Sequence, residues 1–358
     1  MNLAPPQLNG FEIHSLLGRG GMSTVWEARQ IALDRPVAVK VLDPAMSRDP
    51  EDVKRFVVEA RLAAKLSHAN LVRVFDVGNQ SGVYYYVMEL IRGYDAGAWL
   101  RRKGQIDPFE SLAVAESLAV ALEYAWNQVG LIHCDIKPAN IMIDADGTVK
   151  LADLGVARCL RGHSRNTDDG ADDITGTPAY MAPEQVTGDA PLDCRTDMYA
   201  LGATLYHLVT GHKLFEGDDD TVMNLQCNGA APDAREYTPG LPDPYAALLE
   251  KLLARNPAMR PRHWSAAMQD MQLVRRGEYP TGEPISAGGS SMLRRRAAAI
   301  LLQDEIEAHP TPVRRRGGAP YPAAASLALA PRGWLVLLAA VIFLVGFAVG
   351  VLLLRLFS

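Results

Sequence analysis

The hydrophobic pattern of the chain changes period partway along, and that change limits the fold more than any other feature. From residue 11 to 90 apolar and polar residues alternate in FEIHSLLG, STVWEARQ, PVAVKVL, LVRVFDVGN and VYYYVMEL, the period of strands with one buried face. One stretch interrupts them: PEDVKRFVVEARLAAKLS carries Phe56, Ala60 and Ala63 at helical spacing. From about residue 107 the helical period takes over, in DPFESLAVAESLAVALEYAWNQ, RTDMYALGATLYHLVTG and DPYAALLEKLLARN. The expectation is a small sheet-rich lobe followed by a larger helical lobe, with a ligand cleft between them.

The length of 358 residues allows one large domain or two ordinary ones. The net charge of −5 is unevenly spread. Residues 281–358 hold eight arginines against Glu283, Asp304, Glu305 and Glu307, a balance of +4 that leaves −9 for residues 1–280. An acidic body of this kind is no nucleic-acid binder by charge. The four cysteines, Cys134, Cys159, Cys194 and Cys227, form no close pair, so neither a zinc site nor a disulfide framework is expected. The N-terminus MNLAPPQLNG lacks the basic and apolar regions of a signal peptide.

Near the C-terminus, WLVLLAAVIFLVGFAVGVLLL runs from Trp334 to Leu354 without a charge, between Arg332 and Arg355. As a helix it would be about 31 Å long, matching a hydrocarbon core of ~30 Å. A membrane-spanning helix over 334–354 is expected, with the body on the cytoplasmic side by the positive-inside rule. Only RLFS, residues 355–358, follows it, so no sensor ectodomain is expected. Residues 274–333, rich in Pro, Gly, Ala and Ser, read as a flexible basic linker with arginine triplets at 294–296 and 314–316. Those triplets suit an anionic membrane surface. Gly346 and Gly350 stand four apart on one face of the span, a spacing that suits helix pairing and a homodimer.

The body carries the chemistry. GRGGMSTV, from Gly18 to Val25, lies between two strand patterns; glycines let backbone N–H groups approach phosphates. A following strand rather than a helix argues against a dinucleotide fingerprint. VAVK ends an apolar strand on Lys40, and Glu59 in the helical stretch is a carboxylate that could pair with it. LIHCDIKPANIMI sets Asp135, Lys137 and Asn140 within six residues between apolar runs. An Asp can take the proton of a hydroxyl nucleophile, a Lys can neutralise phosphoryl charge, and an Asn carbonyl is a hard oxygen ligand for Mg²⁺. LADLGVA adds Asp153 as a second oxygen ligand, beyond a hairpin turning at Asp146-Gly147.

Taken in order, the Gly-rich loop, V-A-V-K, helix Glu, H-x-D-x-K-x-x-N, D-x-G, and A-P-E within GTPAYMAPEQ resemble the eukaryotic-type (Hanks-type) protein kinases. DIKPAN and GTPAYMAPE are similar to the serine/threonine branch, in the style of its bacterial members. The resemblance spans about residues 11–270 and implies an α+β, two-lobed kinase domain over 11–273 (N-lobe 11–91, C-lobe 92–273) behind a short extension, 1–10. It implies a serine/threonine protein kinase that uses ATP and Mg²⁺ (or Mn²⁺), phosphorylates proteins including itself, and signals at the cell membrane.

The same resemblance assigns roles. Leu17, Gly18, Gly20, Gly21, Val25 and Ala38 would cover the nucleotide, and Lys40 would hold its α- and β-phosphates and pair with Glu59. Met88 would back the adenine pocket, with Glu89 to Ile91 as hinge. Asp135 would be the base and Lys137 would meet the γ-phosphate, while Asn140 and Asp153 hold the metal. Thr177 would shape the acceptor site, Glu184 would pair with Arg260, and Asp197 would brace the catalytic loop. Thr167, Thr175 and Thr177 are candidate phosphosites. Three positions depart from the pattern: Ser23 for a glycine, Leu154 for the Phe of D-F-G, and Cys134 for the Arg of H-R-D. The last removes the guanidinium that reads a phosphorylated activation segment. The rival readings are a membrane-tethered pseudokinase scaffold and a small-molecule kinase. The intact Lys40, Asp135, Asn140 and Asp153 oppose the first, and GTPAYMAPE opposes the second.

Overall fold

A computed structural model describes residues 4–153, 177–286 and 288–293. Five strands, β1 (Phe11–Arg19), β2 (Ser23–Gln30), β3 (Arg35–Leu42), β4 (Val74–Gln80) and β5 (Val83–Met88), form one antiparallel sheet in the order β1-β2-β3-β5-β4. Alternation along β3 decides what each face does. Val37, Val39 and Val41 pack with Trp26, Ala28 and Val87 into a small core on the outer face. Ala38 and Leu42 face the other way, into the main core with Phe56 and Ala60, and Lys40 sits between them on that face. Helix α1 (Pro50–Ala63) covers this inner face. It starts at Asp49, whose carboxylate accepts the Glu51 N–H at 2.8 Å, with Pro50 preorganising the first turn. Phe56, Ala60 and Ala63 are all buried, as their spacing predicts.

The strand expected to open at Leu71 begins only at Val74. Residues 70–72 bond instead to the second lobe: Val72 N–H donates to the Leu151 carbonyl at 2.9 Å, and Leu151 N–H to that of Asn70 at 2.9 Å. That ladder stitches the two lobes together beside the cleft.

The helical lobe opens with β6 (Tyr94–Asp95), α2 (Ala96–Lys103) and α3 (Pro108–Val129). Asp107 caps α3, and Gly130 in the left-handed region (φ 63°) ends it. Strands β7 (Ile141–Ile143) and β8 (Val149–Leu151) pair as a hairpin whose turn contains Gly147 at φ 86°. The remaining helices are α4 (Pro183–Thr187), α5 (Cys194–Thr210), α6 (Asp219–Asn228), α7 (Ala234–Tyr237), α8 (Asp243–Leu252) and α9 (Trp264–Arg275). Helix α5 is buried on nearly every side and forms the axis of this lobe.

The flexible linker expected from residue 274 starts differently. Helix α9 runs to Arg275, and residues 288–293 lie against the helical lobe. Ser291 N–H donates to the Leu253 carbonyl at 2.9 Å, Leu293 N–H to that of Ala231 at 2.8 Å, and Met292 is buried. A Gly- and Ser-rich composition suggests flexibility, but small residues also let a backbone lie close to a packed surface. Residues 294–358, with the apolar run 334–354, Gly346 and Gly350, lie outside the described residues. Among the described residues no helix is long and apolar enough to cross a membrane.

Candidate active site

The cleft between the lobes encloses about 790 Å³. Its roof is the β1–β2 turn, closed by Gly20 N–H donating to the Ser23 carbonyl at 2.8 Å. Leu17, Gly18, Gly20, Gly21, Val25 and Ala38 all line it from above, and Met88, Glu89 and Ile91 line its back. The Glu89 carboxylate is tied to Lys150 of β8 at 3.0 Å, which anchors the segment joining the lobes.

Lys40 projects from the centre of β3. Its Nζ lies 3.1 Å from Glu59 Oε1 on α1 and 3.0 Å from Asp153 Oδ1 just after β8. Tyr86, directly opposite Lys40 in the sheet, donates its hydroxyl to Glu59 at 3.1 Å. Burial disfavours the Lys40 ammonium, but Asp153 and Glu59 outweigh it and hold its pKa well above that of a free lysine. Burial raises the pKa of Glu59, while at Asp153 the desolvation cost is outweighed by Lys40, which holds the carboxyl below its usual value. Lys40 and Asp153 are therefore charged at neutral pH.

Asp197 of α5 is buried, and its two oxygens accept the N–H groups of His133 (2.7 Å) and Cys134 (2.8 Å). This grip fixes Cys134 at φ 62°, a left-handed conformation that few non-glycine residues adopt. Burial pushes the Asp197 carboxyl up to about 7, against the pull of those two N–H donors. His133 Nε2 lies 3.2 Å from the Ala152 carbonyl, and its Nδ1 accepts the Asp135 N–H at 3.3 Å, so the ring proton sits on Nε2. Asp153, one residue beyond Ala152, is also left-handed, at φ 54°.

Asp135, Lys137, Asn140 and Thr177 converge across the cleft from Lys40. Lys137 Nζ bridges Asp135 Oδ2 (3.0 Å) and Thr177 Oγ1 (3.1 Å). Asn140 donates its amide N–H groups to the Asp135 carbonyl and carboxylate, each at 2.8 Å. Every residue that the sequence placed in the cleft lines it. Glu184, Arg260 and Asp197 lie away from it. Arg260 pairs with Glu184 at 2.6 and 2.9 Å in a buried bidentate contact. Leu154, Thr167 and Thr175 lie outside the described residues.

Several participants escaped the sequence reading. Tyr86 needs the cross-strand register to be seen. Met142 lines the cleft floor, and its signal was available: Ile141 and Ile143 turn into the core, so alternation turns Met142 the other way. Of the four cysteines, Cys194 and Cys227 are free, and Cys159 lies outside the described residues.

A five-stranded lobe and a helical lobe, with a lysine gripped by two carboxylates above an Asp-Lys-Asn loop, define a kinase-type fold and cleft. The protein kinase domain family matches residues 11–272, and the chain belongs to that family. It is 34% identical over 251 residues to the serine/threonine-protein kinase PrkC of Bacillus subtilis, covering 70% of this chain and 38% of that protein. It is 36% identical over 283 residues to PknB of Mycobacterium leprae (77% and 45%) and 37% over 263 residues to PknL of Mycobacterium tuberculosis (73% and 65%), both also serine/threonine-protein kinases. The chain thus spans less than two thirds of the length of these relatives. Among solved structures, the kinase domain of Mycobacterium tuberculosis PknI is similar, with a TM-score of 0.59 and 28% identity over 76% of this chain and 99% of that one.

Proposed function

We propose that this chain is an active serine/threonine protein kinase, transferring the γ-phosphoryl group of ATP to protein hydroxyls, its own included. The observation that carries the reading is Lys40 held between Glu59 and Asp153, facing Asp135, Lys137 and Asn140 across one cleft.

The residues fit a nucleotide and a divalent cation. The cleft is large enough for ATP, its glycine-rich roof leaves backbone bare, and Asp153 and Asn140 offer the hard oxygens that Mg²⁺ prefers, with Mn²⁺ as an alternative. When bound, Mg·ATP supplies the phosphoryl group and neutralises its charge. Lys40 spends two of its three N–H groups on carboxylates and presents the remainder to phosphate oxygens. Asn140 spends its amide N–H groups on Asp135, which orients the carboxylate and leaves Oδ1 for the cation. Asp135 takes the proton of the attacking hydroxyl. Lys137, already bridging Asp135 and Thr177, steadies that carboxylate and the charge on the transferred group. Glu184, Arg260 and Asp197 hold the loops that carry these groups. Incubation with γ-labelled ATP and Mg²⁺ should put label on Ser and Thr; an unlabelled chain and acceptor would leave the scaffold reading.

In the same reading, residues 11–273 are the catalytic domain and 334–354 span the cell membrane, holding that domain in the cytoplasm. The uncharged length of the run and the arginines before it support this. The intervening basic segment touches anionic lipid, and Gly346 and Gly350 pair two copies for phosphorylation in trans. Deletion of 334–354 should move the chain from the membrane fraction to the supernatant, and Gly346→Ile with Gly350→Ile should weaken self-association of the span. Retention at the membrane, or an unchanged monomeric span, would refute the respective point.

A further inference from the structure

The segment 288–293 lies beyond the family match, which ends at residue 272, yet it is built into the helical lobe. Ser290 and Ser291 are buried. Ser290 donates its hydroxyl to the Glu250 carbonyl at 2.8 Å, which accounts for its place. Ser291 does something else. Its Oγ lies 2.9 Å from the hydroxyl oxygen of Tyr199, which itself lies 2.5 Å from Gln226 Oε1. A phenol has one proton, and an amide oxygen can only accept. The Tyr199 proton therefore goes to Gln226, and the Ser291 hydroxyl donates to Tyr199. The other end of the Gln226 amide donates through Nε2 to the Pro178 carbonyl at 3.0 Å. All three side chains are fully buried, so water cannot replace a lost partner.

This relay ends at the acceptor side of the cleft. Pro178 opens a tight turn over Pro178–Tyr180 and follows Thr177, whose hydroxyl Lys137 bonds at 3.1 Å while also holding Asp135. Its carbonyl also accepts the Met181 N–H at 3.1 Å. The Gln226 amide is thus a side-chain tether on the segment that borders the catalytic loop, and Ser291 is the outermost donor of that tether, holding the Tyr199 hydroxyl in place.

We propose that Ser291 is a positioning residue for the protein substrate, holding the Thr177–Pro178 segment in register through Tyr199 and Gln226. This rests on the reading of the cleft as a protein kinase site. A segment outside the catalytic domain's family boundary thereby completes the substrate platform.

The test uses the full chain, with Ser291→Ala, Tyr199→Phe and the double variant, ATP and dephosphorylated casein as acceptor. Each single variant should raise the KM for casein by about 3- to 10-fold, the net effect of one hydrogen bond. The KM for ATP should stay within about twofold, and the double variant should be no worse than the poorer single one, because both cut one relay. Hydrogen exchange at Tyr180 and Met181 should quicken in both single variants, while that of residues 133–140 stays unchanged. Additive effects, a parallel rise in both KM values, or unchanged exchange at 180 and 181 would overturn the proposal. If the wild type transfers no phosphate, the kinase reading fails, and the exchange measurement still decides whether Ser291 positions the turn.

Discussion

Lys40–Glu59 in the sheet lobe and Arg260–Glu184 in the helical lobe are both cation–carboxylate pairs, and they differ in what else they touch. The side chains of Lys40 and Glu59 keep 11% and 12% of their surface exposed, and the third member, Asp153, keeps 39%. Arg260 and Glu184 keep 0% and 5%. Arg260 spends all five N–H groups inside the lobe, on Glu184 and on the carbonyls of Ala254, Arg195 and Arg255. Its guanidinium also lies over the Tyr199 ring. Lys40 keeps donor capacity facing the cleft. A sealed pair fixes chain segments, whereas a pair at a cleft wall can be shared with a ligand. The difference lies in burial and donor count rather than in the kind of charge.

The contrast can be broken most sharply at the cleft. Asp153→Asn or Lys40→Met should lower phosphoryl transfer by about 10³- to 10⁵-fold, the range that single charge-stabilising groups command in such reactions. Either should leave the melting temperature nearly unchanged, because burial already favours neutral Glu59 and it can take up a proton once Lys40 is gone. Variants that unfold would place this charge cluster with the scaffold. Arg260→Met should do the reverse. Leaving Glu184 buried and unpaired should cost about 3–5 kcal/mol in urea unfolding. A stable Arg260→Met protein would mean that the sealed pair does not hold the lobe together.

A smaller effect is expected at Cys134. The loop that carries Asp135 is gripped from below by Asp197, and no guanidinium stands at position 134 to pair with a phosphorylated segment. Phosphatase treatment should therefore change activity by less than about tenfold, or ~1.4 kcal/mol. A collapse of many-fold would show that another cation reads the phosphate.

A further effect concerns acid. His207 of α5 accepts the Tyr180 hydroxyl at 2.7 Å through Nδ1, and burial lowers its pKa from 6.5 to about 4. The folded state thus binds this proton less readily than the unfolded chain. Its contribution is full above pH 6.5 and is lost as pH falls towards 4. The melting-temperature gap between wild type and His207→Asn should narrow over that window; a gap independent of pH would remove His207 from the account.

The cleft was legible in the sequence because its chemistry is local. Asp135, Lys137 and Asn140 share one loop, and strand alternation alone puts Lys40 on the inner face of β3. Glu59 was nameable from a helical pattern and a charge that needed a partner. What stayed hidden depends on register and on distant contacts. Tyr86 meets Lys40 only through the pairing of β3 with β5. The 288–293 segment was misread because composition describes stiffness, not docking. Its hold comes from bonds to Ala231, Leu253 and Arg255, far earlier in the chain.

The most direct measurement pairs nucleotide binding with phosphoryl transfer in Asp135→Asn. Asp135 lies across the cleft from Lys40, so the variant should bind Mg·ATP with wild-type affinity by calorimetry. It should incorporate almost no label into Ser or Thr of itself or an acceptor, while the wild type incorporates it readily. Equal labelling of the two proteins, or none in either despite ATP binding, would contradict the assignment of this cleft to protein phosphorylation.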